Sequence, residues 1–264
     1  MTYLKRIIDQ KRVEVNTAKE TIGLKQLLYY KDFNHKARSL SAHILSDQHN
    51  GIIAEFKRQS PSKGIINATA GVKQTVSQYQ KAGVSAVSVL TDQSFFGGTD
   101  RDLSQAFEVL TIPILRKDFM VDPWQIYEAR AIGASAILLI AAVLTKKEAL
   151  EMAALASYLG LEVLMELHGE EELPKVNAFV DVVGINNRNL KTFEVDLANS
   201  VKLAAKLPNS LPKVSESGIH SLDEIQFLRQ HGFNGFLIGE NFMKQANPGQ
   251  ACLDFCNGLQ TLKV

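Results

Sequence analysis

The residues best equipped for chemistry fall in short clusters, each closing an apolar run. In GIIAEFKRQSPSKG (residues 51–64), Glu55 and Lys57 stand two positions apart, before a turn built from Ser60, Pro61, Ser62 and Gly64. On an extended strand, positions i and i+2 project to the same face. A carboxylate and an ammonium would then point together where strand gives way to loop. Opposite charges resist burial unless fully paired, so such a pair at a strand's end reads as the lip of an active site. An exposed edge strand carrying an incidental ion pair is the plainer alternative. The same spacing recurs in Lys117 and Phe119, in Glu166 and His168, in Asn186 and Arg188, and in Ser215 and Ser217. Carboxylates and lysines gathered on one surface are the equipment of general acid–base catalysis.

These clusters need a scaffold that brings successive strand ends together. From residue 51 onward, short β-branched or apolar runs alternate with amphipathic stretches, recurring roughly every 25 residues. The expected strands are GIIAEF (51–56), SAVSVL (85–90), IPIL (112–115), SAILLI (135–140), LEVLME (161–166), DVVGIN (181–186), LPKVSE (211–216) and GFLIGE (235–240). Helices are expected between them, such as 146–159 after Thr145 and 222–230 after Ser221, which with Glu224 has the spacing of a capping box. Eight strands alternating with helices imply an α/β fold, a (β/α)8 TIM barrel. The alternative, an open doubly wound sheet, usually carries a GxGxxG after its first strand, and that motif is absent. Residues 1–50 have no strand candidate, so they read as an N-terminal helical extension of a single domain spanning 1–264. In its first helix, Leu4, Ile7, Ile8, Lys11 and Val15 recur at helical spacing as one apolar stripe.

A barrel's active face lies at the carboxyl ends of its strands. Strand one ends in Glu55 and Lys57, strand two in Thr91-Asp92 with FFGG, and strand three in Arg116-Lys117-Asp118-Phe119. Strand five ends in Glu166 and His168, strand six in Asn186 and Arg188, strand seven in Ser215-Glu216-Ser217-Gly218, and strand eight in Gly239-Glu240. Strand four ends in bare hydrophobics. Loops after strands seven and eight commonly hold phosphate through backbone N–H groups. Ser217-Gly218 and Gly239-Glu240 allow that approach, with Ser60 adding a hydroxyl, so a phosphorylated small-molecule substrate is expected. Other candidates read as structural: His168 as a hydrogen-bonded wall, Trp124 and Tyr127 as packing, and Glu170–Glu172 as a solvated face at a helix start.

The composition narrows the partners. The 264 residues are 45% hydrophobic and 22% charged, with a net charge of +1 and no basic block, so no nucleic-acid partner is expected. No apolar run is long enough to span a bilayer, and the charged amino terminus lacks a signal-peptide core, which gives an expectation of no membrane and a cytoplasmic location. Cys252 and Cys256 read as reduced, structural thiols. No histidine pair has metal-ligand spacing, so no metal is expected. A monomer or weak homo-oligomer is expected.

The motifs taken together resemble the indole-3-glycerol phosphate synthase family of tryptophan biosynthesis. The segments that carry the resemblance are IIAEFKRQSPSKG, SVLTDQSFFGG, PILRKDFMVDPWQIYEARAIGA, LLIAAVL, MELHGEEEL, GINNRNLKTFEVDL, VSESGI and FLIGENFM, in that order. The resemblance implies ring closure of 1-(2-carboxyphenylamino)-1-deoxyribulose 5-phosphate, with loss of carbon dioxide and water and no cofactor. It implies Lys117 as general acid, Glu166 as the second acid–base group, and Lys57 as the lysine near the substrate carboxylate that assists dehydration. Glu55 and Asn186 would orient these groups, and Arg188 would hold the anthranilate carboxylate. Phe96, Phe119, Leu138 and Leu190 would wall the aromatic ring. Ser60, Ser217, Gly218, Gly239 and Glu240 would grip phosphate, and Glu216 belongs to the same substrate-binding set. Cationic neighbours and partial desolvation would lower the pKa of Lys117. Residues 133–136, GASA, lack an acidic residue expected before strand four. Other readings remain: phosphoribosylanthranilate isomerase (whose cysteine no strand end here supplies), a Schiff-base aldolase using Lys117, a flavin barrel, or a binding-only scaffold.

Overall fold

The computed structural model describes residues 3–188 and 194–261. Eight parallel strands close into a barrel: β1 (Ile52–Phe56), β2 (Ala86–Leu90), β3 (Ile114–Lys117), β4 (Ala136–Ile140), β5 (Glu162–Leu167), β6 (Val182–Asn186), β7 (Lys213–Glu216) and β8 (Gly235–Ile238). Each pairs with its neighbours in sequence, and β8 closes onto β1 with Ile52 opposite Phe236. The (β/α)8 reading stands. β3 begins two residues later than expected because Pro113 has no N–H to give; its carbonyl instead accepts from Val87 (3.0 Å).

Alternation along the strands sets what faces where. Ile53, Leu115, Leu138, Leu164, Val214 and Leu237 pack inside the barrel, while Ile52, Ala54, Phe56, Ile114, Leu139 and Val163 pack outward under the helices. Two residues further along the inward parity come Glu55, Lys117, Ile140, Glu166, Glu216 and Gly239. Arg116 and Asp118 have the opposite parity. Pairing keeps these ends level, with Ile140 opposite Glu166 and Asn186 opposite Glu216. The acidic and basic strand ends are therefore delivered to one mouth.

Three helices precede the barrel: α1 (Tyr3–Thr21), α2 (Leu24–Leu27) and α3 (Leu40–Leu45). α3 plugs the amino-terminal end of the barrel, where Leu40 and Ile44 join the interior cluster. Its cap is tied down by Glu162, which accepts from Ser39 Oγ (2.5 Å) and Ser41 N (2.7 Å). α1 buries Ile7, Ile8, Lys11 and Val15, the stripe seen in the sequence. Further along, helices Lys146–Tyr158 and Leu222–Gln230 start on capping boxes, Thr145 with Glu148 and Ser221 with Glu224. Trp124 packs as expected, its Nε1 donating to the Ile22 carbonyl at 3.1 Å. Glu172 departs from the solvated face expected of it. Residues Glu170–Lys175 form a 3-10 turn that buries Glu172, whose carboxylate accepts from the His168 N–H at 2.7 Å. Among the described residues, no helix is long and apolar enough to cross a membrane.

Candidate active site

At the carboxyl ends of the strands, one cavity is lined by Glu55, Lys57, Ser60, Phe96, Lys117, Phe119, Leu138, Glu166, Asn186, Arg188, Ser217, Gly218, Gly239 and Glu240. Of the residues singled out from sequence, Leu190 lies outside the described residues. Glu216 is also off the cavity surface: it sits beneath Lys117, 1% exposed, so direct substrate contact is replaced by contact with the lysine.

Lys117 is the hub. Its Nζ lies 2.6 Å from Glu216 Oε2, 3.6 Å from Glu166 Oε2 and 4.0 Å from Glu55 Oε2. Glu55 is shared, its other oxygen lying 2.5 Å from Lys57 Nζ. Space for these carboxylates comes from two inward-facing glycines. A Cβ at Gly184 would lie 2.1 Å from Glu216 Oε1, and one at Gly239 would lie 2.5 Å from Glu55 Oε1.

The electrostatics correct the expectation for Lys117. Burial opposes its charge, but Glu216, Glu166 and Glu55 outweigh burial and hold its pKa above that of an ordinary lysine. The sequence suggested cationic neighbours; barrel closure supplies anionic ones. The mouth is likewise no plain cationic cleft, because Lys57, Lys117 and Arg188 share it with Glu55, Glu166 and Glu240. Attraction for an anionic substrate must come from where the cations sit. Burial raises the pKa of Glu216 and Lys117 pulls it down; with the carboxylates of Glu166 and Glu55 adding to the rise, it is held at about 7. Glu216 Oε1 has no hydrogen-bond partner among the described residues. Glu55, though buried, is held low by Lys57 and Lys117. His168 stands behind Glu166, its Nε2 3.2 Å from Glu166 Oε1, and desolvation lowers its pKa.

The walls have two characters. On one side, Phe96 and Phe119 (ring centroids 5.9 Å apart) join Leu138. Sequence reading missed that Tyr3, Leu4 and Ile7 of α1 extend this wall. Helical periodicity marked the stripe but gave no sign of what it covers. On the other side lie the turns after β7 and β8, joined by His220 and Asn241. Ser217 adopts φ +70° and Gly218 φ +73°, a left-handed pair that only Gly takes freely. Asn187, also unforeseen, secures it: its Nδ2 donates to Ser217 O (2.7 Å) and Ser215 Oγ (3.0 Å), and its Oδ1 accepts from Ser200 Oγ (2.5 Å). Ser60 Oγ is buried at the cavity edge without a hydrogen-bond partner among the described residues, a hydroxyl available to a ligand. Asn186 Oδ1 accepts from the Arg188 N–H at 3.0 Å, which orients the Asn186 side chain.

Residues 4–255 match a family profile described as indole-3-glycerol phosphate synthase. An indole-3-glycerol phosphate synthase of Bacteroides thetaiotaomicron is 47% identical over 257 residues, covering 97% of this chain and 98% of the relative. One of Acinetobacter baumannii is 40% identical over 252 residues, covering 95% and 94%. Among solved structures, a thiamine phosphate pyrophosphorylase of Pyrococcus furiosus superimposes with a TM-score of 0.59 at 13% identity, covering 82% of this chain and 99% of that one. A chain of the Pyrococcus furiosus tryptophan synthase complex gives a TM-score of 0.58 at 13% identity, covering 81% and 99%. At that identity these two share the fold alone.

Proposed function

Because this chain belongs to the indole-3-glycerol phosphate synthase family, we propose a division of labour for its reaction among the residues of the barrel mouth. The enzyme is a carboxy-lyase that converts 1-(2-carboxyphenylamino)-1-deoxyribulose 5-phosphate to indole-3-glycerol phosphate, releasing carbon dioxide and water. In the first step a carbon of the aniline ring attacks the ribulose ketone, and negative charge develops on the ketone oxygen. Lys117 is the acid for that oxygen. Its raised pKa keeps it an ammonium throughout the neutral range, so it stabilises the developing alkoxide electrostatically before it gives up the proton. Once Lys117 has donated, Glu216 beneath it, titrating near 7, is the nearest group able to return a proton, at 2.6 Å.

Loss of carbon dioxide then restores aromaticity. Dehydration needs a base for a ring proton and an acid for the departing hydroxyl. Glu166 and Lys57 line the cavity on either side of the Lys117–Glu55 pair and are assigned these tasks. The aromatic half of the substrate lies against Phe96, Phe119 and Leu138, with its carboxylate toward Arg188 and Lys57. The phosphate lies opposite, at Ser60, Ser217, Gly218, Gly239 and Glu240. Leu190 keeps its assignment to the aromatic wall.

The observation that carries this reading is one ammonium gripped by three glutamates between an apolar wall and a pair of glycine turns. It also speaks against the Schiff-base alternative, since an amine held protonated lacks the lone pair a carbonyl adduct requires. The test is indole fluorescence on addition of the carboxyphenylamino-deoxyribulose phosphate to wild type and Lys117→Ala. Turnover is expected to fall by about 10²–10⁴-fold in the variant, the usual cost of a lost proton donor. Near-normal turnover would reassign the acid.

A further inference from the structure

The first helix places a lysine in its apolar stripe, and that lysine is buried. Lys11, 5% exposed, has its Nζ 2.9 Å from Asp92 Oδ2, 2.9 Å from Asp118 Oδ1 and 3.1 Å from Glu14 Oε2. Asp92 opens the turn after β2 and caps the short helix that carries Phe96, accepting from the Phe95 N–H at 2.8 Å. Asp118 directly follows Lys117 and accepts from the Phe119 N–H (2.8 Å), Thr91 Oγ1 (2.6 Å) and Arg116 Nη2 (3.3 Å). A single ammonium from outside the barrel therefore joins the segments that present Lys117, Phe119 and Phe96.

We propose that Lys11 is a positioning residue for the ring-closure reaction, fastening α1 to the ends of β2 and β3 so that Lys117 is held at its working geometry. The inference rests on the assignment of Lys117 as the acid. A simple surface pin between α1 and the barrel would need no buried charge, and Lys19 with Asp122 (2.7 Å) already provides one. Burial opposes the Lys11 charge, but Asp118 and Asp92 outweigh it and raise its pKa above the ordinary lysine value, so the cation persists across the working range. Without it, Asp92 and Asp118 face each other across the gap it bridges, and like charges separate. The displacement falls on the peptide joining Asp118 to Lys117. The turns after β7 and β8 are reached by no contact of Lys11 and keep their shape.

Loss of the cation should therefore show as a loss of turnover with little change in substrate affinity. An ångström of misplacement at a reacting group costs up to about 100-fold in rate. The experiment compares kcat and KM of wild type, Lys11→Met, Lys11→Arg and Lys117→Ala, each assayed well below its own melting temperature. Lys11→Met is expected to lower kcat about 10- to 100-fold with KM within roughly threefold, and Lys11→Arg, which keeps the charge, is expected to recover a substantial part of the loss. A folded Lys11→Met with wild-type kcat would overturn the proposal, as would equal losses in the Met and Arg variants, which would mark a packing role. Retained activity in Lys117→Ala would instead defeat the underlying assignment of the acid.

Discussion

Arg116 and Lys117 are neighbours in sequence, the first buried and the second half-buried, and each has three carboxylates within 4.0 Å, yet they serve opposite ends. Arg116 points out of the barrel. It reaches Glu128 (2.7 Å), Asp100 (2.9 Å) and Asp118 (3.3 Å), and also Thr91 Oγ1 and the Gln125 carbonyl, both at 3.1 Å. Lys117 points in, makes one close contact at 2.6 Å, and leaves Glu166 and Glu55 at 3.6 and 4.0 Å. Its side chain is 13% exposed against 3% for Arg116. The charge inventory is nearly the same on both sides of the strand. Saturation with short hydrogen bonds makes the outer cluster a fixture, while the unfilled contacts of the inner one are places a substrate can take.

The sharpest way to break this comparison is to remove each cation. Lys117→Ala should lose about 10²–10⁴ in turnover with the smaller loss of stability. Arg116→Met should destabilise by about 3–5 kcal/mol, the usual cost of orphaning buried charges. Denaturation midpoints and kcat measured together would show the ranking, and a reversed order would dissolve the distinction.

The next largest effect concerns Glu216. Glu216→Gln keeps an acceptor near Lys117 but removes the group titrating near 7, so kcat should fall about 10-fold, less than the roughly 10²–10⁴-fold usual for an acid–base group that meets the substrate directly. Its pH profile should also lose the inflection that Glu216 supplies. Stability moves the other way. The folded-state pKa of Glu216 is raised above the ordinary 4.5, so its contribution is greatest below that value and is lost as pH climbs toward about 7. Above pH 7, past that titration point, Glu216→Gln should melt higher than wild type. A lower melting temperature there would mean that the carboxylate is held ionised.

The smallest effect belongs to the glycine-turn side. Ser217→Gly relieves a φ of +70° but frees the unfolded chain, so stability should shift by no more than about 1 kcal/mol, with KM the parameter to watch. A large loss of turnover would give Ser217 a part in the chemistry.

Much of this was legible because strand alternation is a local rule. Glu55, Lys117, Glu166 and Asn186 could be placed on one mouth by counting in twos from apolar neighbours. The pKa of Lys117 could not, because Glu216, Glu166 and Glu55 lie on three other strands and converge only when the barrel closes. Lys11 passed for part of an apolar stripe, and its ion pairs with Asp92 and Asp118 went unsignalled, because both are more than eighty residues away in the sequence. Leu4 and Ile7 were seen as a helix face with no hint of the cavity beneath, and Tyr3 was not singled out at all. Asn187 escaped notice beside Asn186 because its work is on a turn thirty residues on.

The opposite facing of Arg116 and Lys117 also bears on how this chain can change length. Deleting or inserting one residue within β3 would exchange the two cations, sending a guanidinium into the reaction chamber and an ammonium into the outer lattice. The same single step would turn Glu55, Glu166 or Glu216 away from the mouth if it fell in their strands. Lengthening is tolerable in the connecting loops, where no such parity is kept. The strands that deliver these side chains to the mouth are thus fixed in reading frame as well as in composition, and an altered residue there is more easily survived than a missing one.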